Sequence, residues 1–148
     1  MEIRLLTFEQ LSARQVYEVL RLRAEIFVVE QECAYCDPDG MDEKAYHLLG
    51  YEGGRLAAYT RIFPPGQYLE QASIGRVAVH HSYRGRGFGR EIMQASLEAV
   101  VNEIGSREVV ISAQVYLVRF YNELGFTASG AEYLEDGIPH IKMYWKAG

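Results

Sequence analysis

Ser73-Ile-Gly-Arg-Val-Ala-Val-His-His-Ser-Tyr-Arg-Gly-Arg-Gly-Phe-Gly-Arg90 is the stretch on which the reading of the whole chain turns. Its first part, Ser73–Val79, has the apolar character of a strand. Its last residues open a helix predicted over Gly87–Ile104, where Met93, Leu97, Val100 and Ile104 share one face and Gly105 stands at the C-cap position. Between the two, Gly85, Gly87 and Gly89 allow successive backbone N–H groups to converge on one anion with no Cβ in the way. The first-turn amides of the helix have no partners within it, and that end carries about half a positive charge. Arg84, Arg86 and Arg90 add charge around the turn. Strand, glycine-rich turn and helix N-terminus together read as a pyrophosphate cradle.

Three phosphate motifs compete for this turn. A nucleotide-hydrolysing P-loop requires Lys-Ser/Thr after its last glycine, but Arg90-Glu91 follows here. A dinucleotide fingerprint requires Gly-x-Gly-x-x-Gly, and the last glycine falls one residue early. What remains is Arg84-x-x-Gly87-x-Gly89.

The chain around the cradle is 148 residues long, which fits one domain over 1–148 with a sizeable core. Its net charge is −5, which argues against a general nucleic-acid surface. The charge is segregated: Gln71–Arg90 holds four arginines, two histidines and no acid, whereas Glu25–Glu43 holds seven acids and no base. The first block suggests a local anion site. The second is either a solvated face or a surface that steers a cationic acceptor. No apolar run is long enough for a membrane span, Met-Glu-Ile-Arg does not resemble a secretory signal, and two cysteines cannot form a disulfide framework. A soluble cytoplasmic protein is the expectation.

Outward from the cradle, Ile3–Leu6 reads as a strand and Ser12-Ala-Arg-Gln15 as a capping box starting a helix over 12–24. A second short helix is expected near Ile26–Gln31, and a loop over Cys33–Lys44. His47–Tyr51 and Arg55–Phe63 flank Glu52-Gly-Gly-Arg55, a hairpin signal. Glu108–Ala113 reads as a buried strand and Tyr116–Leu124 as a short helix ended by Gly125. Strands near Thr127–Tyr133 and Ile141–Lys146 close the chain. The predicted order is β-α-α-β-β-β-α-β-α-β-β.

Arg84-x-x-Gly87-x-Gly89 matches the Q/R-x-x-G-x-G/A signature of the GNAT superfamily of acetyl-CoA-dependent N-acetyltransferases. Phe120-Tyr121-Asn-Glu-Leu-Gly125-Phe126 resembles the FYxxxGF segment on the last helix of those proteins, and the element order is similar to theirs. Phe27-Val-Val-Glu-Gln31 with Cys33, Asp39 and His47, and Glu135-Asp-Gly-Ile-Pro-His140, resemble the ElaA-like branch. The resemblance implies an α/β (α+β) fold: a mixed central sheet splayed between the fourth and fifth strands and flanked by about four helices.

It also implies a chemistry. Val77, Ala78 and Val79 are expected along the pantetheine of acetyl-CoA, which docks like an added strand. Arg84, Gly85, Arg86, Gly87, Phe88, Gly89 and Arg90 are expected around its pyrophosphate, and Gln114 stands where many relatives have Asn. An amine would attack the thioester directly in a ternary complex, with a strand amide near Val77 or Ala78 stabilising the oxyanion. Tyr121 corresponds to the residue facing the departing sulfur. Since a phenol has a pKa of about 10 and a thiol about 8.5, it is expected to hydrogen-bond the developing thiolate, with full proton transfer optional. The base is open between His140, Glu135, Asp136, His47 and water chains among them. An imidazole titrates nearest neutrality, which favours His140. The acceptor is a small-molecule or peptide amine of unidentified structure. The rival reading is a non-catalytic CoA-binding module, and an enzyme using a longer acyl group is a third.

Other motifs carry less. Cys33-Ala-Tyr-Cys36 has zinc-like spacing but no second pair, so no metal is expected. Asp37-Pro-Asp-Gly-Met-Asp42 lacks the calcium-loop pattern and reads as an acidic turn. His80-His81 mark the end of a strand. Tyr144 and Trp145 suggest core packing or the edge of a homodimer.

Overall fold

The computed structural model describes residues 1–148. Eight strands form one sheet: β1 (Glu2–Thr7), β2 (Tyr46–Glu52), β3 (Arg55–Phe63), β4 (Ala72–Val79), β5 (Glu108–Gln114), β6 (Thr127–Ala128), β7 (Tyr133–Glu135) and β8 (Ile138–Lys146). The spatial order is β1-β2-β3-β4-β5-β8-β6, with β7 paired to the free part of β8. Only β4 and β5 run parallel; the other neighbours are antiparallel. The mixed sheet expected from the resemblance is therefore present, and α1 (Ala13–Arg23), α2 (Phe88–Ala99) and α3 (Val118–Glu123) flank it.

Local sequence accounts for most boundaries. At the start of α1 the Gln15 amide donates to Ser12 Oγ at 3.1 Å, and the Ser12 amide donates to Gln15 Oε1 at 2.9 Å, a reciprocal cap. Helix α2 starts from Gly87, whose φ of +79° is costly for any residue with a Cβ. Leu48 and Leu49 show why the helices take opposite sides. Adjacent strand residues face opposite ways; Leu48 joins a core with Ile92, Met93 and Leu97 of α2, and Leu49 joins one with Val19 and Leu22 of α1.

Two expectations are corrected. The helix foreseen near Ile26–Gln31 is not separate: α1 continues through Ala24–Glu30 in wider turns, with the Gln31 amide bonded to Ile26 O and the Cys33 amide to Val28 O. No Gly or Pro between Arg23 and Gln31 interrupts it, so the helices number three rather than four. The strand foreseen over Thr127–Tyr133 is split into β6 and β7. The turn that follows is tight enough for β8 to begin at Ile138, which puts Pro139 and His140 inside it.

Candidate active site

The site begins where the sheet comes apart. β4 and β5 pair only at Ala72–Val109 and Ser73–Val110; from there on, the two strands share no pairing. The opposite edge of β4 explains the divergence. Tyr59 pairs with Ala78 but Arg61 with Gly75, so Arg76 and Val77 together face the single residue Thr60. This is a β-bulge, which bends the strand that carries it. Arg76 takes up the extra length at φ +49°. Meanwhile β5 stays registered with β8 as far as Gln114–His140. The seam opens into a cavity of about 570 Å³ lined by both strands, the end of α1, the glycine-rich turn and α3. Backbone groups on the β5-facing edge of β4 lack a strand partner there, and a ligand bearing amides could supply one.

The glycine-rich turn expected to cradle an anion borders this cavity. Arg84, Gly85, Gly87, Phe88 and Gly89 all line the cavity. The Glu91 amide is the first in α2 to bond back, to Gly87 O at 3.0 Å, which leaves the amides of Phe88, Gly89 and Arg90 without partners in the helix. The arginines are not idle. Arg84 pairs with Glu30 at 2.8 Å, Arg86 with Glu52 at 2.9 Å and Arg90 with Glu123 at 2.7 Å. Arg86 also lies over the Phe88 ring, 4.9 Å from its centroid. Arg86 and Arg90 do not line the cavity, nor does Ala78, whose side chain packs into the α1-side core; any role for Ala78 belongs to its main chain. Val77 and Val79 do line it.

Tyr121, from α3, and His140, from β8, line the same cavity. Tyr121, on α3, is buried edge-on against Phe120 and Phe126. Burial, with a small contribution from Tyr116, pushes its hydroxyl well above the ordinary phenol range. His140 is 5% exposed. Its Nδ1 lies 2.6 Å from Ile138 O, and a carbonyl only accepts, so Nδ1 carries the proton. Nε2, the basic nitrogen of the neutral ring, faces Glu135 Oε2 at 3.3 Å. Glu135 is about half exposed and accepts from Ser112 Oγ, which contacts the Tyr133 hydroxyl. Gln114 also lines the cavity, where its Oε1 accepts from Gln31 Nε2 at 3.3 Å.

His47, one of the four side chains considered as a base, lies elsewhere. It is buried outside the cavity, and both ring nitrogens are engaged. Nε2 donates to Asp42 O at 2.9 Å and Nδ1 accepts from the Tyr59 hydroxyl at 2.7 Å. Burial lowers its pKa, so the ring is held neutral.

The acidic segment is not a free steering surface. Arg23, fully buried, donates to Asp37 Oδ2 and to Asp42 Oδ1, each at 2.7 Å. Arg61 donates to Asp39 from both terminal nitrogens and to Asp42. Arg76 reaches Asp37 Oδ1 at 2.8 Å. Glu25 pairs with Arg21 and Glu30 with Arg84, so five of the seven acids are neutralised. Burial opposes ionisation of Asp39, yet the hydrogen bonds and charge of Arg61 hold its carboxyl at about 2. The sequence reading missed this network because its partners are 14 to 39 residues apart. One signal was available: Arg23 occupies the apolar stripe of α1, four residues after Val19, where a charge demands a partner.

Remaining motifs find structural places. Cys33 Sγ contacts Asp136 O and Cys36 Sγ contacts Pro38 O. No cluster of three or more His, Cys, Asp or Glu groups is placed to hold a metal ion, and no helix is long and apolar enough to cross a membrane. Trp145 packs against the core and against Gly125, while Tyr144 is exposed.

Known proteins share this fold. A model of the acetyltransferase (GNAT) domain matches residues 24–147. Protein ElaA of Escherichia coli is 41% identical over 136 residues, 90% of this chain and 89% of its own. A Synechocystis UPF0039 protein is 40% identical over 140 residues, 94% and 91% of the two chains. Among solved structures, an acyl-CoA N-acyltransferase from Pseudomonas aeruginosa superimposes with a TM-score of 0.91 at 36% identity, over 98% of this chain and 99% of that one. The crystal structure of ElaA superimposes with a TM-score of 0.90 at 39% identity, over the same shares.

Proposed function

We propose, from the premise that this chain belongs to the GNAT acetyltransferase superfamily and to its ElaA-like branch, that it transfers the acetyl group of acetyl-CoA to a primary amine. The observation that carries the reading is the seam between β4 and β5. One cavity is lined by a backbone anion cradle at its mouth, by an unpaired strand edge along its wall, and by a buried phenol and an imidazole–carboxylate pair inside.

In this reading the diphosphate lies against Gly85, Gly87 and Gly89 and the free amides of α2, with Arg84 beside it. The pantetheine follows Val77 and Val79 and brings the thioester to the bulge. The amine nitrogen attacks the carbonyl carbon; a C–N bond forms, and a β4 amide near Val77 or Ala78 stabilises the oxyanion. The C–S bond then breaks and its electron pair stays on sulfur. Tyr121, raised above the ordinary phenol range, is a poor acid toward a thiolate, so it donates a hydrogen bond and keeps its proton. The proton lost by the amine goes to His140 Nε2, with Glu135 3.3 Å away to share it and pass it to water.

The test is release of free thiol from acetyl-CoA across an unbiased amine panel. Turnover with at least one amine, and formation of its N-acetyl product, is the expected result. Binding of CoA with no turnover on any amine would instead assign the chain to non-catalytic CoA binding. Faster release from longer thioesters would move the assignment to another acyl group.

A further inference from the structure

Arg76 is in an unusual position for its residue type. It is the one non-glycine residue inside a strand with a positive φ, and the left-handed region is disfavoured for a side chain with a Cβ. It occupies the bulge at which β4 has parted from β5, next to Val77, where the proposed function puts the thioester carbonyl. A residue in a sparsely populated conformation persists when its surroundings over-determine it, and Asp37 provides that constraint. Arg76 Nε donates to Asp37 Oδ1 at 2.8 Å and Nη2 to Asp37 O at 3.1 Å, so the guanidinium is gripped at two points. Asp37 is itself immobile. It is 3% exposed, accepts from Arg23 Nε at 2.7 Å and Nη2 at 3.3 Å, and receives the Tyr35 hydroxyl at 3.1 Å. Tyr35 in turn lies 5.8 Å from the Arg76 guanidinium, under its charge. The chain runs from the buried end of α1, through one aspartate, to the bulge.

We propose that Asp37 is a positioning residue for acyl transfer, holding Arg76 in the left-handed conformation that aims the β4 bulge amides at the thioester carbonyl. The inference rests on the acetyl-CoA reading given above. Asp37 touches neither substrate in this account; it acts through Arg76, whose side chain serves as a tether.

Two substitutions at one position separate this role from others. Arg76→Gly and Arg76→Ala remove the same guanidinium and the same partner of Asp37. Only glycine accepts the positive φ at no steric cost. The probe is acetyl-CoA isotopically labelled at the carbonyl carbon, read by difference infrared spectroscopy, with affinity for unlabelled CoA measured alongside as a check on folding. In the parent protein the bound carbonyl band should lie below its position in free acetyl-CoA. Arg76→Gly should retain most of that displacement, whereas Arg76→Ala and Asp37→Asn should lose it. Arg76→Gly in the Asp37→Asn background should restore it. Once an amine is in hand, kcat should follow the same order, falling about 10- to 100-fold in Arg76→Ala with KM for acetyl-CoA little changed. Equal losses in the glycine and alanine variants would overturn the proposal, since a packing role or direct substrate contact by Arg76 predicts equality. So would an unshifted band in the parent protein that nonetheless binds acetyl-CoA. Failure of the parent to bind acetyl-CoA at all would overturn the underlying reading instead.

Discussion

Tyr121 and His47 show how far a side chain's role depends on what surrounds it. Both are buried, and burial displaces each toward its neutral form, the phenol upward and the imidazole downward. Tyr121 nevertheless borders the cavity, while His47 has both nitrogens committed to the protein. Replacing Tyr121 by Phe removes one hydrogen bond to a developing thiolate. Single-turnover acetyl transfer should slow about 10-fold, with affinity for acetyl-CoA within about twofold of the parent. An unchanged single-turnover rate would remove Tyr121 from the mechanism. Gly125 combines two constraints: a φ of +98° and a Cβ position 3.2 Å from Trp145 Cδ1. Gly125→Ala should therefore cost about 2–5 kcal/mol in urea denaturation, crowding against the indole adding to backbone strain of about 1–3 kcal/mol. A loss of about 1 kcal/mol would show that the indole moves aside freely and that only the strain remains.

At the scale of elements, the glycine turn and the helix it opens form the anion site of the proposed function. A Cβ at Gly87 meets no atom within 4 Å, so space is not the obstacle; its φ of +79° is. Gly87→Ala should weaken CoA binding about 10-fold by re-aiming the amides at the start of α2, with a smaller effect on the melting temperature, as calorimetry and thermal unfolding would show. These elements were legible in the sequence because their causes are local: the reciprocal Ser12–Gln15 cap, the Gly53-Gly54 hairpin and the glycines before α2 each act within a few residues. The run Ala24–Glu30 misled because an apolar pattern resuming after Arg23 looks the same whether a helix stops or merely widens. The bulge was invisible for a different reason. Arg76 in an apolar strand gives no sign of its φ, which follows from pairing with β3 and from the grip of Asp37. Thus the strand, glycine turn and helix were readable, while the buried network of Asp37, Asp39 and Asp42 looked like a solvated or steering face.

For the molecule as a whole, pH and salt should act through different groups. His47 has a depressed pKa in the folded protein because burial outweighs the opposing pull of Asp42, with smaller contributions from the Arg23 and Arg61 charges. The unfolded chain therefore binds more protons near and below an ordinary histidine pKa of about 6.5. The stability due to neutral His47 is complete above that pH and is lost as pH falls through it. Urea midpoints should be flat from about pH 8 to pH 7 and decline toward pH 5, and His47→Gln should flatten the decline; an unaltered slope in that variant would assign it to other groups. Asp39 and Asp42 have lowered folded pKa values, so their contribution is held until pH drops below about 4 and is lost as pH falls further, that of Asp39 toward about 2. Ionic strength should touch the two substrates unequally. In the proposed function the CoA diphosphate lies beside Arg84, so its affinity should fall as salt rises. The acids of the 25–43 segment are mostly paired already, so KM for a cationic amine should change less than about twofold from 0.05 to 0.5 M salt. A steep dependence for the amine would mean that acids outside this segment, such as Glu135, guide it in.

Glu30, Glu52 and Glu123 each occupy one guanidinium around the turn at residues 84–90. These carboxylates are tethered, so they compete at a fixed effective concentration that no dilution lowers. A solitary sulfate or inorganic phosphate must evict such a resident for the return of a single contact. An anion of several linked charges can displace more than one in the same event. On the function proposed above, the turn would thus act as a valence filter, passing over small single anions and yielding to those whose phosphates arrive joined together.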